Sequence, residues 1–436
     1  MQSIHRPRAL RAALLPALVL LPMLAACAGD DDASGTGAAS GTSITFGAVD
    51  TLDAPAAPGS GEPNLAADPD GRVYLSWLEP VGDSAHALRV SVLDAGTWSA
   101  PRTVVTGGNF FVNWADFPSL LPLGGGRLAA HWLQRSGEGR YAYDVRLARS
   151  ADDGATWSES VVPHRDGTET EHGFVAMWPA GGDSVGVAWL DGRQYAAAQA
   201  ASHDGGEGGG GEMSVATAML AADGRVTPER LLDTRTCDCC QTAAAVTSRG
   251  PVLVYRDRSP GEIRDISVVR MVDGTWTEPA PLHEDGWEIA ACPVNGPAVA
   301  ARGERVAVAW FTGARDTARV LVAFSSDAGA TWSAPVRVDD GTPAGRVDLA
   351  MTADGTALVS WLERGEGESA AVRLRAVSAD GAAGKPVTVA RSGAARSSGF
   401  PRMALSGDAL VLAWTEPGTP ARVRTARVAL GGGGAE

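Results

Sequence analysis

Seven short segments of this chain share one design, and this repeat constrains the fold more than any other feature. Each segment alternates apolar residues, ends in an aromatic residue and then turns polar: VYLSWLE, LAAHWLQ, VGVAWLD, PVLVYRD, VAVAWFT, ALVSWLE and LVLAWTE. The aromatic residues are Trp77, Trp132, Trp189, Tyr255, Trp310, Trp361 and Trp414. Successive aromatics are 51 to 66 residues apart, and the longest interval contains the insertion AAAQAASHDGGEGGGGE. The underlying period is therefore about 50 to 55 residues.

Each repeat unit contains four strand-like pieces separated by turn residues, and the aromatic-ended segment is the second of them. Four antiparallel strands per unit are typical of a β-propeller blade. The seventh unit supplies only three strands before the chain ends in GGGGAE, whereas SITFGAVDTLDAP near the start reads like the fourth pieces elsewhere. We therefore predict an all-β propeller over residues 44–430 with seven four-stranded blades. The N-terminal strand completes the last blade and removes its open edge; six blades is the alternative.

The first 26 residues have the pattern of an export signal, because basic residues precede the apolar run AALLPALVLLPMLAA. Residues 24–27 (LAAC) resemble the lipobox of bacterial lipoproteins, which implies that residues 1–26 are removed and that Cys27 carries the lipid. An ordinary signal peptide with a cysteine near its cleavage site is the alternative. Ala28 implies, by resemblance to the enterobacterial sorting rule, an outer-membrane location in the cell envelope.

Charge and composition narrow the range of partners. Residues 27–43 are acidic and then rich in Gly, Ala, Ser and Thr, which predicts a flexible tether, and residues 431–436 are predicted to be a disordered tail. The net charge of -14 argues against a nucleic-acid partner, which would need a basic face. No stretch after the signal approaches the roughly 18 apolar residues of a membrane span. Membrane contact is therefore predicted only through the lipid on Cys27.

Polar residues cluster where a propeller places its binding sites. The first strand of each blade lines the central channel, and the loops that enter this strand and leave the second strand share one face of the ring. We predict that this channel mouth binds a small-molecule or glycan ligand, with contacts from Asn113, Asp116, Glu171, His172, Arg193, Arg256, Arg258, Glu288, Asn295 and Arg402. The same face carries Asp191, Asp257, Glu262, Arg346 and Asp348.

Two turns carry a family resemblance. Residues 150–157 (SADDGATW) and 325–332 (SSDAGATW) resemble the Asp-box, S-x-D-x-G-x-T-W, of sialidase-like propellers. Degenerate copies surround Asp94, Asp223, Asp273 and Asp380. The pattern suits a hairpin, since the Asp carboxylate accepts backbone N–H groups, Gly adopts positive φ and Trp covers the strands. In the family these boxes are structural and lie away from the catalytic mouth.

The resemblance implies a glycoside hydrolase site, and the sequence departs from it in two places. A sialidase uses three arginines to bind the substrate carboxylate, a Tyr nucleophile activated by Glu, and an Asp acid/base catalyst. Asp116, Asp191 and Glu171 are the candidate catalytic carboxylates. The family places its Tyr late in the propeller, but no tyrosine follows Tyr255, and an early Arg-Ile-Pro motif is also missing. Exo-α-sialidase activity, or another glycoside hydrolase with two carboxylates, is therefore the alternative to simple ligand binding.

The run CDCC places three of the five cysteines within four residues. With Cys27 lipidated, the folded part holds Cys237, Cys239, Cys240 and Cys292, and an exported protein favours disulfides. A bridge from one of the three to Cys292 would leave two thiols. Those two could form a strained second bridge or a redox pair, or the four sulfur atoms, with His172, could hold copper or zinc.

Further blocks extend the resemblance to the cysteines. CDCCQTA, EIRDISVVR, DGWEIAACPVNGP and SGFPRMA resemble blocks of bacterial exported proteins that are sialidase-like by fold. This resemblance implies a common site around the cysteines without naming its ligand.

Overall fold

The structure is a computed structural model that describes residues 44–203 and 210–432. The predicted signal peptide, the Cys27 lipidation site and the tether lie outside the described residues. Among the helices of the described residues, none is both long enough and apolar enough to cross a membrane.

The described chain begins with β1 (Thr45–Leu52) and then builds one antiparallel sheet after another. Blade 1 contains β2 (Gly61–Ala67), β3 (Val73–Val81), β4 (Ala85–Asp94), β5 (Thr97–Trp98) and β6 (Arg102–Gly107). Blade 2 contains β7 (Ser119–Gly124), β8 (Arg127–Arg135) and β9 (Tyr143–Ser150), with a bridge between Leu147 and Val161 in the fourth position. Blade 3 contains β10 (His172–Pro179), β11 (Val185–Asp191), β12 (Met213–Leu220) and β13 (Arg230–Thr236), and α1 (Arg193–His203) follows β11.

The second half of the chain continues the pattern. Blade 4 contains β14 (Ala243–Thr247), β15 (Gly250–Arg256), β16 (Ile266–Val272), β17 (Thr275–Trp276) and β18 (Ala280–His283). Blade 5 contains β19 (Ala298–Arg302), β20 (Arg305–Thr312), β21 (Arg319–Ser325) and β22 (Val336–Arg337), with a 3-10 turn at Ala314–Asp316. Blade 6 contains β23 (Pro343–Met351), β24 (Ala357–Arg364), β25 (Ser369–Val377) and β26 (Val387–Gly393). Blade 7 contains β27 (Arg402–Ser406), β28 (Ala409–Glu416) and β29 (Arg422–Gly431), preceded by a 3-10 turn at Arg396–Ser398.

The N-terminal strand closes the ring. β1 pairs antiparallel with β29, from Thr45 opposite Gly431 to Leu52 opposite Thr425, and so becomes the outer strand of blade 7. The first strands of successive blades contact one another, and β27 of the last blade contacts β2 of the first. The predicted seven-bladed propeller, completed by the N-terminal strand, is confirmed.

Apolar clusters between neighbouring blades form the core. The described residues contain seven such clusters, one at each seam of the ring, so both faces of each sheet are buried. The seven repeat aromatics lie on the second strands, and each is at most 7% exposed. Three of the tryptophans donate their indole N–H to a carboxylate two residues on: Trp77 to Glu79, Trp189 to Asp191 and Trp361 to Glu363. A buried indole needs an acceptor, which explains why these strands turn acidic just after the aromatic.

The two S-x-D-x-G-x-T-W turns have the same internal hydrogen bonds. Asp152 accepts the backbone N–H and the hydroxyl of Thr156, and Asp327 does the same for Thr331. Gly329 adopts a φ of +80°, which a glycine tolerates without strain. Both turns follow the third strand of their blade, as the sequence predicts.

Candidate functional site

Backbone bulges shape the channel mouth. In blades 1, 3 and 6 the register between first and second strands shifts near the start of the first strand. Each shift contains a non-glycine residue with positive φ: Glu62 at 50°, Phe174 at 52° and Arg346 at 54°. Bulges of this kind re-aim side chains and are frequent beside binding sites.

Side chains from one blade hold the bulge of the next. Asp116 accepts the backbone N–H of Phe174 at 2.7 Å, and the amide oxygen of Asn295 accepts that of Arg346 at 2.7 Å. Asp348 accepts the N–H of Met403 at 2.7 Å. The sequence assigned Asp116 and Asn295 to ligand binding. In the structure, each of these side chains forms a hydrogen bond that connects two neighbouring blades.

The arginines named from the sequence bind separate partners. Arg256 is buried and donates to the carbonyl oxygens of Asn295, Arg264 and Phe311, at 2.8, 2.5 and 2.6 Å. Arg193 binds Asp191 through two bonds of 2.7 Å.

Other predicted contacts also have local partners. Arg402 lies 3.4 Å from Asp348. The side-chain oxygen of Asn113 accepts the N–H of Ala115, and Glu288 is exposed. These arginines therefore do not converge on one carboxylate site of the kind the sialidase resemblance implies.

The central channel holds a small polar cavity of about 180 Å³. First strands of several blades line it, with Asn64, Ser119, Thr242, Asp348 and Arg402 supplying polar groups. Of the ligand contacts predicted from the sequence, Arg402 is the one that lines this cavity.

The cysteines lie in the loops that enter the first strands of blades 4 and 5. Cys237, Cys239 and Cys240 lie in the turn between β13 and β14, and their Sγ atoms all lie within 4.8 Å of one another. The Sγ of Cys237 is 2.6 Å from that of Cys240 and 4.0 Å from that of Cys239. Cys292 comes from the loop before β19, and its interaction with Cys239 lowers the pKa of its thiol. Cys237 and Cys240 are buried, Cys239 is half-buried and Cys292 is exposed, so the cluster has a closed base and an open side.

Charged groups surround the cysteine cluster. Arg264 donates to the Sγ of Cys237 at 3.4 Å and pairs with Glu262 at 3.0 Å. Arg258 bridges Glu262 and Asp238, at 2.8 and 3.4 Å. Burial opposes ionisation of Cys237, but hydrogen bonds from Cys239 and Cys240 and the charge of Arg256 hold the pKa of its thiol well below the ordinary value. A thiolate in this position is the form that ligates metals.

A tyrosine lies between two carboxyl groups beside the cysteines. The hydroxyl of Tyr143 is 2.9 Å from Asp116 and 2.8 Å from Glu171. Burial raises the pKa of Asp116 to about 7 and that of Glu171 to about 8, and the charges of Asp238 and Cys292 contribute to the second shift. One hydroxyl proton cannot serve two acceptors, so a proton on one carboxyl completes the pair of hydrogen bonds. Glu171 remains half-exposed, whereas Asp116 and Tyr143 are buried.

His172 does not join the cysteines. Its ring nitrogens face Asp144, Asp166 and Asp191, and its ring stacks on His164. The predicted cysteine ligand set is therefore corrected to sulfur alone among the described residues, because the side chain of His172 points toward blade 2.

Sequence reasoning did not single out Tyr143, Arg264 or His164. Arg264 lies within the block EIRDISVVR, and its neighbour Glu262 had been placed at the mouth. A buried tyrosine hydroxyl needs a polar partner, but no local pattern predicts that Tyr143 of blade 2 meets Glu171 of the following loop.

Comparison with known proteins gives matches only among solved structures. No protein-family model and no curated protein match the chain. A protein of unknown function from Dyadobacter fermentans is 14% identical over 89% of this chain and 99% of its own, with a TM-score of 0.49. A NanB sialidase variant from Streptococcus pneumoniae is 10% identical over 90% and 95% of the two chains, with a TM-score of 0.46. An α-L-arabinanase from Penicillium chrysogenum, in complex with arabinobiose, is 13% identical over 88% and 98%, with a TM-score of 0.45. The fold of this chain is established independently by its own strand pairing.

Proposed function

We propose that this protein is a propeller of the cell envelope, anchored through a lipid on Cys27, that binds a soft metal ion at its channel mouth. The ligands are the thiolates of Cys237, Cys239 and Cys240, with Cys292 of the next blade closing the open side. The observation that carries the proposal is the mutual approach of three Sγ atoms within 4.8 Å in one turn. The Sγ atoms of Cys237 and Cys240, 2.6 Å apart, must separate to about 3.8 Å for both to bind one ion at about 2.3 Å. Thiolate sets favour Cu(I) and Zn(II) over harder ions.

The surroundings support a bound cation with several thiolates. Three thiolates around a monovalent or divalent ion leave excess negative charge, and the guanidinium of Arg264 lies 3.4 Å from Cys237 to offset it. Arg264 is itself held by Glu262, so its position does not depend on the metal. The half-buried Cys239 and the exposed Cys292 leave a path by which an ion can enter from the mouth.

Copper stoichiometry of the reduced protein tests this proposal. Fully reduced, metal-free protein is expected to bind about one Cu(I) per chain in competition with a colourless chelator. Cys237→Ser and Cys239→Ser are expected to lower the affinity at least 100-fold, and Cys292→Ser about tenfold, because it removes one outer ligand. Cys27→Ser, which changes the proposed lipidation site and none of the four proposed metal ligands, is the control and should bind as the unmodified protein does.

Thiol counting supplies the contrary outcome. If the folded, fully reduced protein binds no copper, and the protein as isolated has no free thiol, the four cysteines form disulfides and the metal proposal is wrong. If Cys237→Ser does not fold, Cys239→Ser provides the test instead. Cys239 is only half-buried, so its substitution disturbs the fold less.

We propose glycoside hydrolysis as a second candidate, on the basis of the contact of Tyr143 with Asp116 and Glu171. Glu171 would act as acid/base catalyst, since it is only partly buried whereas Asp116 and Tyr143 are fully buried, and Tyr143 would position its carboxyl group.

Release of nitrophenol from a panel of aryl glycosides, including a sialoside, is the measurement. Glu171→Gln is expected to lower kcat at least 100-fold, whereas Asp408→Asn, whose carboxyl group is 81% exposed and lies in the turn between β27 and β28, should leave it within twofold. Absence of turnover by the unmodified protein on the whole panel would rule this candidate out.

A further inference from the structure

A second group of metal-binding side chains lies between blades 2 and 3, apart from the cysteines. The rings of His164 and His172 stack with centroids 3.7 Å apart and planes 4° apart. Asp166 faces one edge of both rings and Asp144 faces the opposite edge. The side chain of His172 is fully buried and that of His164 nearly so. The cluster joins the loop before β10 to strand β9.

The contact with Asp166 fixes the proton on one of the two rings. Its Oδ1 lies 3.2 Å from Nδ1 of His164, with which it forms a hydrogen bond, and 3.2 Å from Nε2 of His172. A neutral His164 ring therefore presents Nε2 as a lone pair on the other edge. This nitrogen and both ring nitrogens of His172 are buried and have no hydrogen-bond partner among the described residues.

Asp144 faces Nε2 of His164 and Nδ1 of His172. Its Oδ1 lies 3.7 Å from the first and 4.0 Å from the second, too far for a hydrogen bond, and the three atoms lie within 4.8 Å of one another. Buried polar atoms without partners are unfavourable, and a cation between these three atoms would satisfy them.

We propose that His164, His172 and Asp144 bind a divalent cation of the zinc class. Ligand bonds of about 2.1 Å in tetrahedral geometry separate the donor atoms by about 3.4 Å. The separations of 3.7 and 4.0 Å must therefore shorten by about 0.3 and 0.6 Å, and the two rings must rotate out of their parallel stack so that both in-plane lone pairs meet at the ion. Asp166 is then the outer carboxylate that orients both rings, a common companion of metal-bound histidine. Nitrogen and oxygen donors distinguish this site from the cysteine cluster, which prefers softer ions.

One carboxylate of the cluster has no arginine partner. Asp191, also near His172, is already paired with Arg193 through two bonds of 2.7 Å. Arg193 also lies 3.9 Å from Asp166, so Asp144 is the carboxylate without an arginine partner among the described residues. Bound there, the cation ties β9 to the loop that carries Glu171.

Cobalt(II) titration of the reduced, full chain tests this site separately from the cysteines. Sulfur ligation of cobalt gives an intense charge-transfer absorption, whereas a site of nitrogen and oxygen ligands gives ligand-field bands without it. The unmodified protein is expected to show both signals. His164→Asn and Asp144→Asn are expected to weaken the sulfur-free binding at least tenfold and to leave the sulfur signal. Cys239→Ser should weaken the sulfur signal and leave the sulfur-free binding unchanged. His283→Asn, which changes a histidine outside the cluster, should leave both signals unchanged.

Two outcomes would overturn the site. One is a folded, unmodified protein that binds no sulfur-free cobalt, which would assign the cluster to a network of imidazolium and carboxylate charges. The other is a His164→Asn protein that binds sulfur-free cobalt as tightly as the unmodified protein. If His164→Asn does not fold, as judged by circular dichroism, Asp144→Asn decides, because its carboxyl group is 17% exposed.

Discussion

A chain that begins at Asp53, and so lacks β1, is expected not to form the folded propeller. β1 supplies the outer strand of blade 7, and its loss leaves the whole length of β29 as an open edge. Ile44 is 8% exposed within the core cluster of blades 6 and 7, and Phe46 and Val49 pack against that cluster. Burial of Ile44 contributes roughly 1.5–3 kcal/mol, and the partly buried Phe46 and Val49 contribute less each. Loss of this burial together with the pairing of β1 and β29 removes a large part of the roughly 5–15 kcal/mol that stabilises a typical domain.

Circular dichroism and size-exclusion chromatography of the shortened chain provide the measurement. We expect loss of the cooperative thermal transition and association into larger species. A chain that begins at Thr42 keeps β1 and is the matched control, which should melt as the longer protein does. If the chain that begins at Asp53 stays monomeric and melts within a few degrees of this control, closure by the N-terminal strand is not needed for stability.

Arg256→Met is expected to lower the free energy of unfolding by roughly 3 kcal/mol or more. The guanidinium of Arg256 is buried, lies over the ring of Trp287 at 4.9 Å and donates to three carbonyl oxygens. Two of these carbonyls, at Asn295 and Phe311, belong to blade 5 or the loop before it, so the side chain joins blades 4 and 5. Methionine fills much of the volume but leaves the buried carbonyls without donors, and each unsatisfied group costs about 1–3 kcal/mol.

Denaturant unfolding measures the effect of Arg256→Met. Arg225→Met is the matched control, because the side chain of Arg225 is 85% exposed and its pair with Asp223 contributes little. The control should change the free energy of unfolding by less than about 0.5 kcal/mol. An Arg256→Met protein as stable as the control would show that Arg256 is free to bind a ligand, as the sequence alone suggested.

The sequence predicted the ring because its signals are local and repeated. Alternating strands, buried aromatics such as Trp310 and the turns at Asp152 and Asp327 are fixed by residues close together in the chain. The terminal strand followed from counting the pieces of the seventh unit. These patterns require no knowledge of how neighbouring blades pack.

The site was harder to predict because it depends on contacts between blades. Asp116 was placed in the loop that enters a first strand, and it lies there, three residues before β7, but its partner is a bulge in the next blade, which no local pattern shows. Arg256 looked like an exposed mouth residue, but it satisfies carbonyls of the adjoining blade. His172 was grouped with the cysteines by its position in the repeat, whereas its side chain turns toward Asp144 and His164.

The sequence placed Cys292 and the CDCC turn in the loops that lead into the first strands of adjacent blades, and the structure has both there. The sequence did not show which thiols approach each other most closely. Cys237 and Cys240 face each other at the buried base.

X-ray absorption at the copper edge, on reduced protein loaded with one equivalent of Cu(I), tests the cysteine site most directly. Three or more sulfur neighbours at about 2.3 Å from the metal are expected, on the pattern of thiolate sites. Cys237→Ser should remove at least one of these sulfur neighbours, and Cys27→Ser none. A copper shell of nitrogen and oxygen atoms only, in protein with four free thiols in the propeller, would contradict a metal site built from these cysteines.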